Sequence, residues 1–378
     1  MKKKVDMKKM MKSLTYVIAV ILIVVLVPYY GKVESDPVEE LALPAGVGYD
    51  IEQKIPGEAI YNVTLDIYSF GDSKSFSVPY KGSATTLGET RQERNTTLER
   101  KLVFGLERVD IISEGMAEFG INNIIDILTT NPMINDRCWV IVCEGKAEDM
   151  VKLKIEGYQS VMDYLEKLID NSVHSNFFGN DYKIIDLYVR NKSEGKNVVL
   201  PYIEVKEKKP KISGLAIFKH GKMLTKTDME DTKRLNMLRE NESQGILTLQ
   251  KSPTEYIDIR AKVKRKVKCT RENGEYKFTI NLKVEGEVAS NEMYKNLSKD
   301  VEQKKKLEKD MAKHIEEISK EFIDKMKNQY KVDCLELGLV GCATYGRKTG
   351  VDWDDIVADS KIDVKVDVKV NRYGRGDY

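Results

Sequence analysis

Histidine and tryptophan are scarce in this chain, at three and two residues, and that scarcity removes much metal and base chemistry at the outset. His174, His220 and His314 stand far apart, without the close spacing that brings two imidazoles to one ion. Cysteine is limited to Cys138, Cys143, Cys269, Cys334 and Cys342, an odd number with no C-x-x-C pair, which argues against a zinc-ribbon or disulfide framework. Cys138 and Cys143 are five apart in the strand-like RCWVIVCEG, so their side chains point to opposite faces and buried free thiols are expected. Also missing are G-x-x-x-x-G-K-[ST], H-E-x-x-H and G-x-S-x-G. Gly46-Val47-Gly48 follows a strand but lacks the third glycine and apolar helix of a dinucleotide turn. No catalytic, cofactor-binding or metal-binding residue is therefore named, and no cofactor and no enzymatic activity are predicted.

Long apolar runs are absent except for one, and it is informative. Leu14 to Tyr30 (LTYVIAVILIVVLVPYY) is uncharged and follows Lys2, Lys3, Lys4, Lys8, Lys9 and Lys12. At ~1.5 Å per residue a helix of this length reaches about 25 Å, near the lower limit for a bilayer core. The lysines predict a cytoplasmic N-terminus, with the bulk of the chain on the extracytoplasmic side. The exit Val27-Pro28-Tyr29-Tyr30 offers no small-residue cleavage site, and the tyrosines suit a membrane interface, so an uncleaved anchor is expected. Formal net charge is +2, of which residues 1–12 carry +5; about −3 is left for the rest, and no nucleic-acid-binding surface is implied. Five N-x-[ST] matches, at Asn62, Asn95, Asn191, Asn241 and Asn296, matter only in a eukaryotic secretory route.

Between these limits, strand and helix signals alternate. Strands are predicted at 43–48, 59–70, 102–113 and 138–144, with helices at 87–98, 114–119, 121–128 and 150–169. Lys206–Lys211 (KEKKPK) has no apolar side chain to bury and reads as an interdomain linker. After it come a hairpin turning at His220-Gly221 and a second turning at Asn273-Gly274. Val301, Leu307, Met311, Ile315, Ile318, Phe322 and Met326 mark one stripe of a long helix. In the last strand Ile362, Val364, Val366, Val368 and Val370 alternate with charged residues, predicting one core face and one water face. The expected fold is α+β and multi-domain, with mixed and antiparallel sheets packed with helices behind one N-terminal transmembrane helix. Its segments are a tail and anchor over 1–33, an N-terminal domain over 34–205 and a C-terminal domain over 213–378 that a split near 250 would divide further.

Four blocks in this order resemble the Ger(x)C family, the C subunits of spore germinant receptors. They are Glu39–Ala42 with Gly46–Asp50; Val109–Gly120 with Ile124–Pro132 and Trp139–Gly145; Gly214–Met223 with Thr232–Leu238; and Asp333–Gly338 with Trp353 and the strand ending at Arg372-Tyr373-Gly374. Thr130 stands where the family favours a basic residue, Leu224 or Thr225 where it favours glycine, and Met237 where tryptophan is common. Members are typically lipoproteins with an acylated cysteine after the signal peptide, whereas Gly31-Lys32-Val33 occupies that place here. The resemblance implies a non-enzymatic subunit in the spore inner membrane, beside polytopic A and B subunits, with residues 14–30 in lipid. The alternative expectation is an extracytoplasmic solute-binding domain of a transporter, which would need a concave pocket.

Overall fold

Two large β-sheets, a small two-stranded one and eleven α-helices organise this protein among the residues that its computed structural model describes, which are 7–30, 37–55, 58–70, 75–348 and 350–373. The chain divides after Leu41 into two units. The first contains helix α1 (Met7–Tyr30), along which Leu14, Val17, Ile18, Ile21 and Val25 are all more than half exposed except Ile18 at 50%. Among the described residues no helix is long and apolar enough to cross a membrane, which differs from the predicted spanning helix. The side chains of residues 27–30, the end of the predicted span, lie outside the described residues.

The second unit starts at Ala42, the last residue of the two-residue strand β1 (Leu41–Ala42), whose carbonyl accepts from Val103 N–H at 3.0 Å just after β5 (Lys101–Leu102). The main sheet runs β10-β9-β8-β7-β6-β2-β3-β4. Its strands are β2 (Pro44–Ile55), β3 (Glu58–Phe70), β4 (Ser75–Ala84), β6 (Val109–Ser113), β7 (Trp139–Cys143), β8 (Val199–Lys206), β9 (Lys209–Lys219) and β10 (Lys222–Lys226). β2, β6, β7 and β8 are mutually parallel, and antiparallel hairpins flank them on both sides. Every β7 side chain is buried, because both faces of this central strand are covered. Trp139, Ile141 and Cys143 join one core with α5 (Ala147–Val151) and α6 (Val161–Ser172). Cys138, Val140 and Val142 join a second with α3 (Glu114–Phe119), α4 (Asn122–Thr130) and α7 (Ile184–Lys192). The two thiols thus lie on opposite faces, and all five cysteines are free and buried.

Several sequence expectations are corrected here. KEKKPK is no linker: β8 and β9 pair across it down to Lys206↔Lys209, and Glu207 and Lys208 both take positive φ, at 51° and 63°. A tight hairpin turn hides there because neither residue is one that usually adopts that conformation. The single helix predicted over 150–169 is two, α5 and α6, interrupted at Gly157 (φ 84°) and restarted by a capping box between Ser160 and Asp163. The strand predicted over 102–113 shrinks to Val109–Ser113.

Helix α8 (Met229–Arg239) leads from the main sheet to a second one, ordered β11-β12-β13-β14. It comprises β11 (Glu242–Ser252), β12 (Glu255–Glu272), β13 (Glu275–Asn291) and β14 (Lys361–Arg372). A split near residue 250 would cut β11, which pairs with β12 from Glu242↔Lys264 onward. Helix α9 (Val301–Lys325) crosses from β13 to the parallel β14, burying Leu307, Met311, Ile315 and Phe322 while Val301 stays exposed. Its Glu316 and Glu308 carboxylates accept from the Val366 and Val370 N–H groups at 3.2 and 2.9 Å, covering the free edge of β14. The core that includes α5 and α6 continues through α8 and α9 into this second sheet.

Candidate functional site

The closing motif of the sequence folds onto the loop after α7, and this junction is where the chain's buried charge is concentrated. Asp333 is 1% exposed; its carboxylate accepts from Leu335 N–H at 3.0 Å and from Gly338 N–H at 2.6 Å, turning the chain into α10 (Leu337–Tyr345). Asp354, in the first turn of α11 (Trp353–Asp359), accepts from Asp333 N–H and from the Asn197 amide, both at 2.7 Å. Burial pushes the Asp333 carboxyl up to about 7 against the pull of those backbone donors. The Trp353 indole N–H donates to Glu194 at 3.1 Å, and Lys348 N–H donates to the other oxygen of Glu194 at 2.7 Å.

Glycine makes this approach possible. Gly195 has φ of 73°, and a Cβ there would lie 2.3 Å from the Gly338 carbonyl carbon. Gly338 and Gly341 admit Trp353 in turn, since a Cβ on either would come within 2.7 and 2.2 Å of that side chain. Behind the loop lies a knot of arginines. Glu336, held at φ 55°, receives Arg190 Nε at 3.1 Å, Arg239 Nη2 at 3.5 Å and Lys196 Nζ at 3.3 Å. Burial alone would raise the Glu336 pKa, but these cations, Arg239 foremost, hold it down at about 2. Arg239 also donates to Glu240 at 3.1 Å, and Arg265 of β12 donates to the Leu335 carbonyl at 2.6 Å. Burial lowers the Arg190 guanidinium to about 10.

Beside this knot opens a polar cleft of 410 Å³ that reaches from Arg190 and Glu194 to His220 and Trp353. Arg190, Glu194, Lys196, Asn197, Asp352 and Asp354 on its walls are all engaged with other protein groups. A second polar cluster is enclosed between β2, β6 and the start of β7. There Asp110, 2% exposed, accepts weakly from Tyr49 at 3.5 Å and Cys138 at 3.7 Å, and desolvation, with Glu107 adding to it, lifts its carboxyl to about 8. Among the described residues no group of three or more His, Cys, Asp or Glu converges as a metal site.

The glycines of Gly46-Val47-Gly48 serve packing. A Cβ at Gly46 would strike the Val109 carbonyl at 2.1 Å, and one at Gly48 would crowd Val151 and Ala147 of α5. Two residues on, along the same face of β2, the Asp50 carboxylate caps α5 by accepting from Ala147 and Glu148 N–H at 2.8 and 2.9 Å. The opening and closing motifs are thus both docking devices. Arg190, Gly195, Arg239, Arg265 and Glu336 were not legible as partners, because no spacing links them. The only local signal was isolated charge beside apolar residues, as at Arg239 in NMLRE.

Comparison with known proteins identifies the family. Residues 34–205 match the model of the spore germination protein N-terminal domain, and residues 213–374 match that of spore germination B3/GerAC like, C-terminal. The chain belongs to the GerAC-like family of spore germination proteins. Spore germination protein GerQC of Bacillus cereus is 25% identical over 356 residues, covering 91% of this chain and 95% of the relative. Spore germination protein B3 of Bacillus subtilis (strain 168) is 23% identical over 269 residues, covering 68% and 71%. The crystal structure of the GerBC protein shares the fold, with a TM-score of 0.55 at 15% identity, covering 86% of this chain and 97% of that one. The α+β expectation of mixed sheets packed with helices is met. Within this GerAC-like chain, the Gly195–Gly338 contact joins the two matched segments, and the β8–β9 hairpin spans the boundary between them.

Proposed function

We propose that this GerAC-like chain is the C subunit of a nutrient germinant receptor, a non-enzymatic body that works through contact surfaces. In this reading residues 14–30 anchor it in the spore inner membrane, the bulk lies on the extracytoplasmic side, and polytopic A and B subunits are its partners. The observation that carries the proposal is the pair of family matches over 34–205 and 213–374, preceded by six lysines and an uncharged apolar run. The exposed apolar side chains of α1 from Leu14 to Leu26 support the anchor, because water gives them nothing to bury against. The solute-binding alternative draws less support, since the acidic and basic groups Arg190, Glu194, Lys196, Asp352 and Asp354 lining the 410 Å³ cleft are already bonded within the protein.

An affinity-tagged copy in spores tests the reading. Detergent extraction is expected to recover the tagged chain with two polytopic membrane proteins and with residues 14–30 still attached by mass spectrometry. Spores lacking the chain should lose the response to one class of nutrient and keep the others. Recovery without membrane partners, together with a full nutrient response in its absence, would refute the subunit role; a mature N-terminus near Lys32 would refute the anchor alone.

A further inference from the structure

The outer face of the second sheet carries a basic surface that the docking motifs and the anchor leave unused. Along β12 the inward residues Ile259, Ala261, Val263 and Cys269 are buried, and the alternating outward residues Arg260, Lys262, Lys264, Lys266 and Lys268 are all exposed. At two residues per ~6.8 Å they form a row of about 27 Å. The neighbouring strands widen it: Lys264 lies opposite Lys283, and Lys266 lies opposite Asn281, which lies opposite Lys365. Glu242 pairs with Lys262 and Glu285 with Lys283, Glu287 lies opposite Arg260, Asp367 lies opposite Lys283 and Asp363 pairs with Lys277, so the acids partly offset the face around Lys266 and Lys268, which lie opposite the uncharged Asn281 and Thr279. The uncharged outward positions are mainly polar, including Gln244, Thr248, Thr270 and Thr279. Ile246 is the one large apolar side chain exposed there among the described residues.

We infer that this face docks on an anionic phospholipid bilayer. A protein partner is the weaker match, because interface cores favour aromatic anchors and exclude lysine, and this face offers rows of lysine without an aromatic centre. A broad, pocketless sheet face with long cationic side chains suits an extended negative surface, where attraction adds up over many headgroups and no single one needs a built site. Without apolar wedges such docking is electrostatic and salt-sensitive. The proposed anchor enters only by keeping a bilayer near, and the test separates the two ideas.

The full chain is labelled through Thr270→Cys, the native cysteines being buried, and mixed with vesicles of phosphatidylcholine alone or with phosphatidylglycerol added, each carrying a headgroup quencher. Flotation with phosphatidylcholine alone reports the anchor. Quenching that needs phosphatidylglycerol and disappears at about 1 M salt, where the screening length is ~3 Å, reports the face. The combined Lys264→Glu, Lys266→Glu and Lys268→Glu variant should weaken that docking on the order of 100-fold while floating as before. Should the anchor fail, flotation only with phosphatidylglycerol, lost in salt, would still support the face. Equal quenching in both lipids, or an unchanged triple variant, overturns the inference; so does a triple variant that docks normally but no longer co-purifies its receptor partners, which would make the face a protein contact.

Discussion

Single residues at the junction carry more than their size suggests, and Gly195 is the sharpest case. Both Gly195 and Gly157 hold positive φ, at 73° and 84°, but a Cβ at Gly157 meets nothing within 4 Å whereas one at Gly195 meets Gly338 backbone at 2.3 Å. Gly157→Ala should therefore cost about 1 kcal/mol, the strain of a left-handed alanine alone. Gly195→Ala should cost roughly 2–4 kcal/mol, because backbone must move as well. Urea unfolding of both variants checks this, and equal losses would mean that the 193–198 loop is not wedged against α10. The motif glycines were visible in the sequence, yet the object each one admits was not, since Trp353 and Gly338 lie more than a hundred residues beyond Gly195.

At the level of elements, period was readable wherever a face is half-buried and misleading where an edge or a turn intervenes. The apolar residues of β14 and α9 share one core in the structure, and the alternation of the one and the stripe of the other were both legible. Depth along β14 was not: Val368 and Val370 are 7% and 0% exposed, whereas Ile362, Val364 and Val366 are only half-buried, because β14 is an edge strand covered on its free side by α9 alone. Asp at Val370 would bury an unpaired carboxylate and should cost about 3 kcal/mol or more, with Val366→Asp near half of that. Lys369→Asp, on the water face, should stay under about 1 kcal/mol. Chemical denaturation ranks the three; a Val366→Asp loss as large as that of Val370→Asp would contradict the graded burial. The Asn273-Gly274 hairpin is legible through residues suited to positive φ, whereas the Glu207-Lys208 turn uses residues that are not and so reads as a linker in the sequence. Helix α7 left no clear signal, for its apolar pattern is short.

For the molecule as a whole, the buried carboxyls give stability an acid-side optimum. Asp110 and Asp333 keep their protons up to about 8 and about 7, while an unfolded chain releases them near the ordinary 3.8. Between these values the native state binds more protons, so stability falls as pH rises. Glu336 acts in the opposite sense: held at about 2 against an ordinary 4.5, it contributes fully above 4.5 and loses that contribution as pH falls toward 2. Urea midpoints should accordingly peak near pH 4 and decline toward pH 8, and Asp110→Asn should flatten the decline; a variant with the wild-type slope would show that Asp110 is not the proton holder. Which buried acids would meet was not readable from the chain, as sixty carboxylates offer too many pairings. The β8–β9 hairpin has a last consequence, for heredity. Two strands beyond the family boundary belong to the sheet before it, so recombination between relatives at 206–213 would graft foreign strands onto a resident sheet. A crossover just after α8, near 240–242, would exchange each sheet intact, and chimeric lineages that survive should carry their breakpoints there.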